Sequence, residues 1–359
     1  MEHGADKFIQ HTSVVARRIG VSAAVVALLT AGTEWEELGV VVAALGLSRQ
    51  SLALGNVIGS SIANILGAFS LGLLFKSSLG GSEDDGETDF DRSSKIYSLL
   101  LLGLTGVVSL VLFISPEPSL IWTISGAAFL FIFGAYAVSI IWAISKGGIR
   151  PPEDNDSDSD SEASSQGSFI DTRPLLDRTP PPTRPNSVSP SPPPAPTLRH
   201  GLQYHIVHLV IGFLALSLSS YILSHAATNI VDEFGGSDYL FGIIVLSIAT
   251  TLPEKFIALM AGKRGELAIL VANTAGSNIF LLSLCLGIVM VDAGRWGDKY
   301  EGQGLKRIEI AVMLASSALF TGLVWCGRRL GQWSRCIGVI MVMGYIGFLV
   351  CEVFVLRKT

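Results

Sequence analysis

Charge is scarce in this chain. Asp, Glu, Lys and Arg make up 15% of its 359 residues, against 49% hydrophobic residues. A soluble domain needs roughly a quarter charged residues to cover its surface, and a mean hydropathy of +0.52 places this chain in a bilayer instead. Cysteine is also scarce. Cys285, Cys326, Cys336 and Cys351 lie in or beside apolar segments without C-x-x-C spacing, which argues against a thiolate metal site or a disulfide framework. No ordinary secretory leader opens the chain, because residues 1–18 are polar and include Arg17 and Arg18. Insertion therefore falls to the membrane helices. A nucleotide-binding loop and a nucleophile–base pair are both missing, so the sequence does not read as an enzyme, and phosphates, nucleic acid and organic cofactors are not implied. His205 and His208 stand three apart with no third ligand, and they read, like His225, as interfacial hydrogen-bonding groups.

Long uncharged runs are present in their place. The hydrophobic pattern predicts nine helices, at 20–47, 51–76, 96–115, 119–145, 203–231, 239–262, 266–291, 308–326 and 335–356. Glycine is abundant, with 38 residues, as expected where membrane helices pack closely or break. Residues 1–145 form a first half, 203–359 a second half, and 146–202 a Ser-, Pro- and acid-rich segment with no means of burying a core. That segment reads as a disordered tether. Its Ser-Pro and Thr-Pro pairs also make it a possible target for a proline-directed kinase or a proline-motif binder. Short basic loops around Arg17, Lys76, Arg92, Lys263 and Arg328 put both it and themselves on the cytosolic side. The compartment stays open between a vacuolar or other endomembrane and the plasma membrane.

Sliding the chain on itself by 217 residues aligns Gly32-Thr33 with Ala249-Thr250, Glu37 with Glu254, and Asn56-Val-Ile-Gly-Ser60 with Asn273-Thr-Ala-Gly-Ser277. The first copy covers about 20–76 and the second about 239–291. An odd number of crossings, five, separates equivalent helices, so they run in opposite directions. This predicts an all-α membrane protein with an inverted-topology repeat, in which a substrate binds near the midplane where the copies meet. Symmetry predicts ten helices, with only a remnant of the first before residue 20.

The repeats are where polar chemistry enters the apolar runs. Read as one continuous helix, 239–262 puts Thr250, Thr251 and Glu254 on one face, and Pro253 frees the carbonyl of Ala249. Thr33, Glu34 and Glu37 make a similar face in the first copy, where Glu36 stands in place of Pro253 and the proline break is lost. Asn56, Ser60 and Asn64 form a stripe at i, i+4 and i+8, and Asn273 and Ser277 repeat it until Leu281 ends it. Gly55, Gly59 and Gly276 permit close helix crossing. Carboxylates, hydroxyls, amides and a freed carbonyl are the donors a hard cation takes. Intramembrane Asn and Ser also serve as interhelical hydrogen bonds, but two carboxylates at equivalent positions of an inverted repeat point to function. Lys255 is either a side chain snorkelling toward Lys263, an ion-pair partner for a Glu, or an ammonium standing in for a transported cation.

These residues resemble the cation/Ca2+ exchanger superfamily, the membrane region of sodium/calcium exchangers. Its two α-repeats carry G-T-S-x-P-E and G-N-x-x-G-S-N-I-F-N, to which Ala249-Thr-Thr-Leu-Pro-Glu254 with Ala272-Asn-Thr-Ala-Gly-Ser-Asn-Ile-Phe280, and Gly32-Thr-Glu-Trp-Glu-Glu37 with Gly55-Asn-Val-Ile-Gly-Ser-Ser-Ile-Ala-Asn64, are similar. The resemblance implies a secondary transporter exchanging Ca2+ for Na+ or H+ by alternating access. It implies acidic ligands at Glu37 and Glu254, with hydroxyl ligands at Thr33, Thr250, Thr251, Ser60 and Ser277. Three positions depart from the pattern: Glu34 replaces a hydroxyl residue, Leu281 a polar one, and Ser61 an Asn. The rival expectations are a divergent relative that does not transport and acts as a membrane interaction protein, an exchanger for another cation, and a passive cation channel.

Overall fold

The computed structural model describes Val15, Phe90 and residues 34–76, 92–145, 202–234, 237–265, 267–296, 305–327 and 333–355. Helices α1 (Trp35–Gly46), α2 (Gln50–Leu74), α3 (Arg92–Ile114), α4 (Leu120–Ser145) and α5 (Leu202–Phe234) come first. They are followed by α6 (Asp238–Thr250), α7 (Leu252–Arg264), α8 (267–296), α9 (Arg307–Trp325) and α10 (Ser334–Val355). No strand occurs among the described residues. Seven of these helices are individually long and apolar enough to cross a membrane, and α6 with α7 supplies an eighth crossing. The helix expected over 20–47 is described only through α1, and the expected kinase or proline-motif segment, 146–202, lies outside the described residues except for Leu202, which begins α5.

The expected single helix over 239–262 is a correction. It breaks at Thr251, where φ is −90° and ψ is 15°, and α7 leaves α6 at 47°. The cause is local. Pro253 has no N–H for the Ala249 carbonyl, yet it suits the first turn of a new helix, so the chain stops and restarts around it. Ser237 caps the start of α6 by accepting from the Leu240 N–H at 3.4 Å, and Gly265, at φ +74°, closes α7 in the left-handed region. The first copy is a second correction. Its helix α1 begins at Trp35 after a non-helical Glu34 (φ −79°, ψ 73°), in the register of Leu252 and without any proline. Glu36 and Glu37 fall in the first turn of α1, where a carboxylate meets the positive end of the helix dipole.

Burial separates centre from periphery. Within the apolar windows of α2 and α8, 89% and 78% of residues are buried, against 17% for α4 and 12% for α5, so the two equivalent helices form the core and α4 and α5 lie at the periphery. Both core helices widen into a π-turn, at Ala63–Phe69 in α2 and Leu281–Cys285 in α8, positions that coincide under the 217-residue shift. The predicted i, i+4, i+8 stripe therefore changes pitch at Asn64. Such turns add a residue to the helix without ending it and are frequent at functional sites.

The α2–α6 crossing is made backbone to backbone. A Cβ on Gly55 would lie 2.3 Å from the Tyr239 carbonyl oxygen, one on Gly59 2.5 Å from that of Ile243, and one on Gly242 2.4 Å from that of Leu52. Gly276, expected to act alike, meets nothing within 4 Å among the described residues. The inversion is visible in the loops. Arg49, just beyond the C-terminal end of α1, bonds Asp238 at the N-terminal start of α6 (3.2 Å) and Asp232 at the end of α5 (2.6 Å), so the equivalent helices α1 and α6 are antiparallel. These two carboxylates hold the Arg49 guanidinium pKa above its ordinary value, Asp232 most strongly. On the other side, Arg335 at the start of α10 donates to the Lys76 carbonyl oxygen at 3.3 Å.

Candidate functional site

At the meeting of the two copies, polar side chains from α1, α2 and α6–α7 collect inside the protein. Glu37 projects from the first turn of α1 and is 0% exposed; its Oε2 accepts a hydrogen bond from Asn56 Nδ2 of α2 at 2.7 Å. Glu34, at the non-helical start of α1, accepts at Oε1 from Asn64 Nδ2 at 3.3 Å. Glu254 comes from the first turn of α7 and is buried. The three carboxylates lie within electrostatic range of one another. Thr250 Oγ1 sits 3.5 Å from both Ser60 Oγ and Asn56 Oδ1, which ties the last turn of α6 to α2 across the repeat boundary. Ser277 of α8 lies beside the Glu34 carboxylate.

The sequence-predicted residues divide in the structure. Glu34, Glu37, Asn56, Ser60, Asn64, Thr250, Glu254 and Ser277 are brought together. Thr33 lies outside the described residues. Thr251 is at the break, so the single face predicted for Thr250, Thr251 and Glu254 does not exist; its hydroxyl donates to the Ser247 carbonyl at 2.5 Å and accepts from Lys255. Asn273 is half-buried and makes no side-chain hydrogen bond among the described residues, unlike its counterpart Asn56. The repeat is therefore symmetric in backbone and asymmetric in side-chain engagement.

What remains unsatisfied indicates the chemistry. Glu34 Oε2, Glu37 Oε1, Glu254 Oε2 and Asn64 Oδ1 are buried oxygens without a hydrogen-bond partner among the described residues. All four are acceptors. Burying such groups unpaired costs several kcal/mol in total, at about 1–3 kcal/mol each and more for a charged group. A bound cation, protonation of the carboxyl groups or a hydrogen-bond donor at each would relieve that cost. No three His, Cys, Asp or Glu side chains converge to metal-ligand spacing among the described residues, so a cation held here takes amide and hydroxyl oxygens as well as carboxylates.

Sequence reasoning missed a second polar group. Tyr239 Oη donates to Glu309 Oε2 at 2.9 Å, joining α6 to α9, and the same oxygen accepts from the Lys306 backbone N–H at 2.6 Å. Glu352 of α10 is also buried, with Oε2 unpartnered. The available signal was a lone carboxylate in each of two apolar runs.

A broken helix and, in the other repeat, a helix start at the equivalent residue, set around a buried oxygen cluster in an inverted repeat, define a membrane transporter fold. The chain belongs to the sodium/calcium exchanger protein family, whose profile matches residues 2–142 and 204–354. It is 28% identical to CaxA of Alkalimonas amylolytica, a candidate antiporter, over 96% of this chain and 92% of that one. It is 25% identical to the sodium/calcium exchanger MaX1 of Methanosarcina acetivorans over 43% of this chain and 42% of that one. Among solved structures, the sodium-calcium exchanger NCX_Mj shares its fold, with a TM-score of 0.51 at 18% identity, covering 96% of this chain and 92% of that one.

Proposed function

We propose that the chain is a secondary active transporter that exchanges Ca2+ for a counter-ion, Na+ or H+, by alternating access. The observation that carries this reading is the set of four buried, unpartnered oxygens on Glu34, Glu37, Glu254 and Asn64. Family membership and the names of the relatives support it. In this reading Ca2+ is cargo, held by Glu37 and Glu254 with Glu34, Asn64, Asn56, Ser60, Thr250 and Ser277 contributing; Thr33, Thr251 and Asn273 complete the proposed set. Departure of the ion leaves uncompensated buried charge, which Na+ or protons must meet before the empty-handed protein can turn over. That requirement couples the two fluxes.

The break at Thr251 and the non-helical Glu34 before α1 allow α7 and α1 to tilt against the α2–α8 core, opening the cluster to one side at a time. We further place the 146–202 segment in the cytosol, with the Arg49–Asp232–Asp238 clip on the opposite face. The test is Ca2+ uptake into vesicles holding purified protein under an imposed Na+ or pH gradient. Uptake that needs no counter-ion gradient would indicate a passive channel instead. Calorimetry showing no Ca2+ binding would indicate a relative that has lost transport.

A further inference from the structure

Lys255 resolves differently from two of the three readings its sequence allows. A snorkelling ammonium would reach outward along α7 toward Lys263. Instead Nζ turns back toward the membrane interior, donating to the Thr251 hydroxyl four residues earlier and to the Ile248 carbonyl seven residues earlier, at 3.5 Å. Nor is it an ion-pair partner in contact: no carboxylate oxygen of the described residues lies within 4.0 Å of its ammonium. The ammonium sits at the helix break, within electrostatic range of Glu37 and Glu254 but touching neither.

Its path is built into the fold. The stem passes Gly67, in the π-turn of α2, where an added Cβ would lie 3.4 Å from Lys255 Cε and 3.7 Å from the Tyr345 ring of α10. Any longer side chain at 67 would push the stem aside. In the other repeat the equivalents of Lys255 and Gly67 are Leu38 and Leu284, so one copy alone carries the device.

We propose that the Lys255 ammonium is a tethered cation, occupying the place of one monovalent coupling ion in the transport site. This rests on the exchange reading above, which assigns the neighbouring carboxylates to the cargo. A hydroxyl and a main-chain carbonyl at a helix break are the donors an alkali cation takes in transporters built this way. Lys255 fills both with a fixed charge. Charge counting gives the same answer. Glu34, Glu37 and Glu254 carry three negative charges when ionised and Lys255 one positive charge, leaving two, which one divalent ion neutralises. The extra carboxylate of Glu34 and the ammonium of Lys255 thus cancel.

The test is thermal unfolding of the detergent-purified full chain against Na+, with choline at equal ionic strength as reference and Ca2+ present or absent. Wild type sets the reference Na+-specific shift, which includes any Na+ bound as counter-ion. Lys255→Met should gain a further shift beyond it, of about 2 °C or more at Na+ well above its Kd. Lys255→Gln serves if Met does not fold, Lys255→Arg should stay at the reference, and Glu34→Ser/Lys255→Met should lose the gained response. A purely structural lysine would lower the midpoint without adding Na+ dependence, and that result overturns the proposal. Ca2+-dependent stabilisation of wild type is read separately, so its absence counts against the exchange reading, while the Na+ response of Lys255→Met still decides the tether.

Discussion

Gly59→Ala adds one methyl group at the closest approach of α2 to α6, and its consequence can be followed atom by atom. The new Cβ would lie 2.5 Å from the Ile243 carbonyl oxygen, 2.8 Å from Ile243 Cα and 2.8 Å from Ser247 Cβ. The first two obstacles are backbone, so a rotamer change cannot relieve them. Ordinary contact begins at 3.4 Å, and 3.4 less 2.5 requires α6 to retreat by about 0.9 Å. The polar links between α6 and α2 at the site, from Thr250 Oγ1 to Ser60 and to Asn56, already stand at 3.5 Å. A retreat of that size breaks both. Overpacking of this kind costs about 1–3 kcal/mol of stability. If the separated hydroxyls also serve the ion, Ca2+ affinity falls by about tenfold, the equivalent of roughly 1.4 kcal/mol. The assay is paired thermal unfolding and Ca2+ calorimetry of purified protein, with Gly103→Ala as control because a Cβ there meets nothing within 4 Å. If Gly59→Ala melts and binds like Gly103→Ala, the close crossing does not position the site.

Three other outcomes follow from the same geometry. Asn56→Ala removes the donor to Glu37 and leaves that carboxylate with no amide partner, lowering stability by about 1.5–3 kcal/mol in Ca2+-free thermal unfolding. Arg49→Ala breaks two partly exposed ion pairs and should cost no more than about 1 kcal/mol at low salt, a difference that added salt removes in the same melt. Leu281→Asn puts a side-chain oxygen at the counterpart of Asn64, inside the second π-turn; it should lower the Ca2+-free midpoint, because the site is apolar and buried, and enlarge the stabilisation that Ca2+ brings.

Much of this architecture was legible in the sequence because membrane helices announce themselves by length and apolarity. The spans predicted at 51–76, 96–115 and 335–356 lie close to the observed Gln50–Leu74, Arg92–Ile114 and Ser334–Val355. The 217-residue shift also located Glu37 and Glu254, and both prove to be buried at the centre. Less legible were the features that depend on backbone pitch. Pro253 announces an interruption, but nothing in Gly32-Thr-Glu-Trp announces that α1 starts at the equivalent residue, since that start rests on packing and on Glu36 and Glu37 at a helix N-terminus. The π-turns have no sequence signature at all, yet they decide where Asn64 points relative to Ser60. Arg49 and Asp238 are 189 residues apart in separate loops, so only the folded chain makes them partners. Lys255 was ambiguous for a related reason: composition permits a flexible side chain to run either way along its helix, and Gly67, on another helix, decides the direction.

The exchange reading is tested most directly by Ca2+ uptake into proteoliposomes carrying wild type or Glu254→Gln, with an outward Na+ gradient in one series and an outward proton gradient in another. Wild type should accumulate Ca2+ under at least one gradient and stop when that gradient is collapsed, and Glu254→Gln, folded as judged by its melt, should fall to the level of empty vesicles. Uptake by Glu254→Gln equal to wild type, or no gradient-driven uptake by wild type, would contradict it.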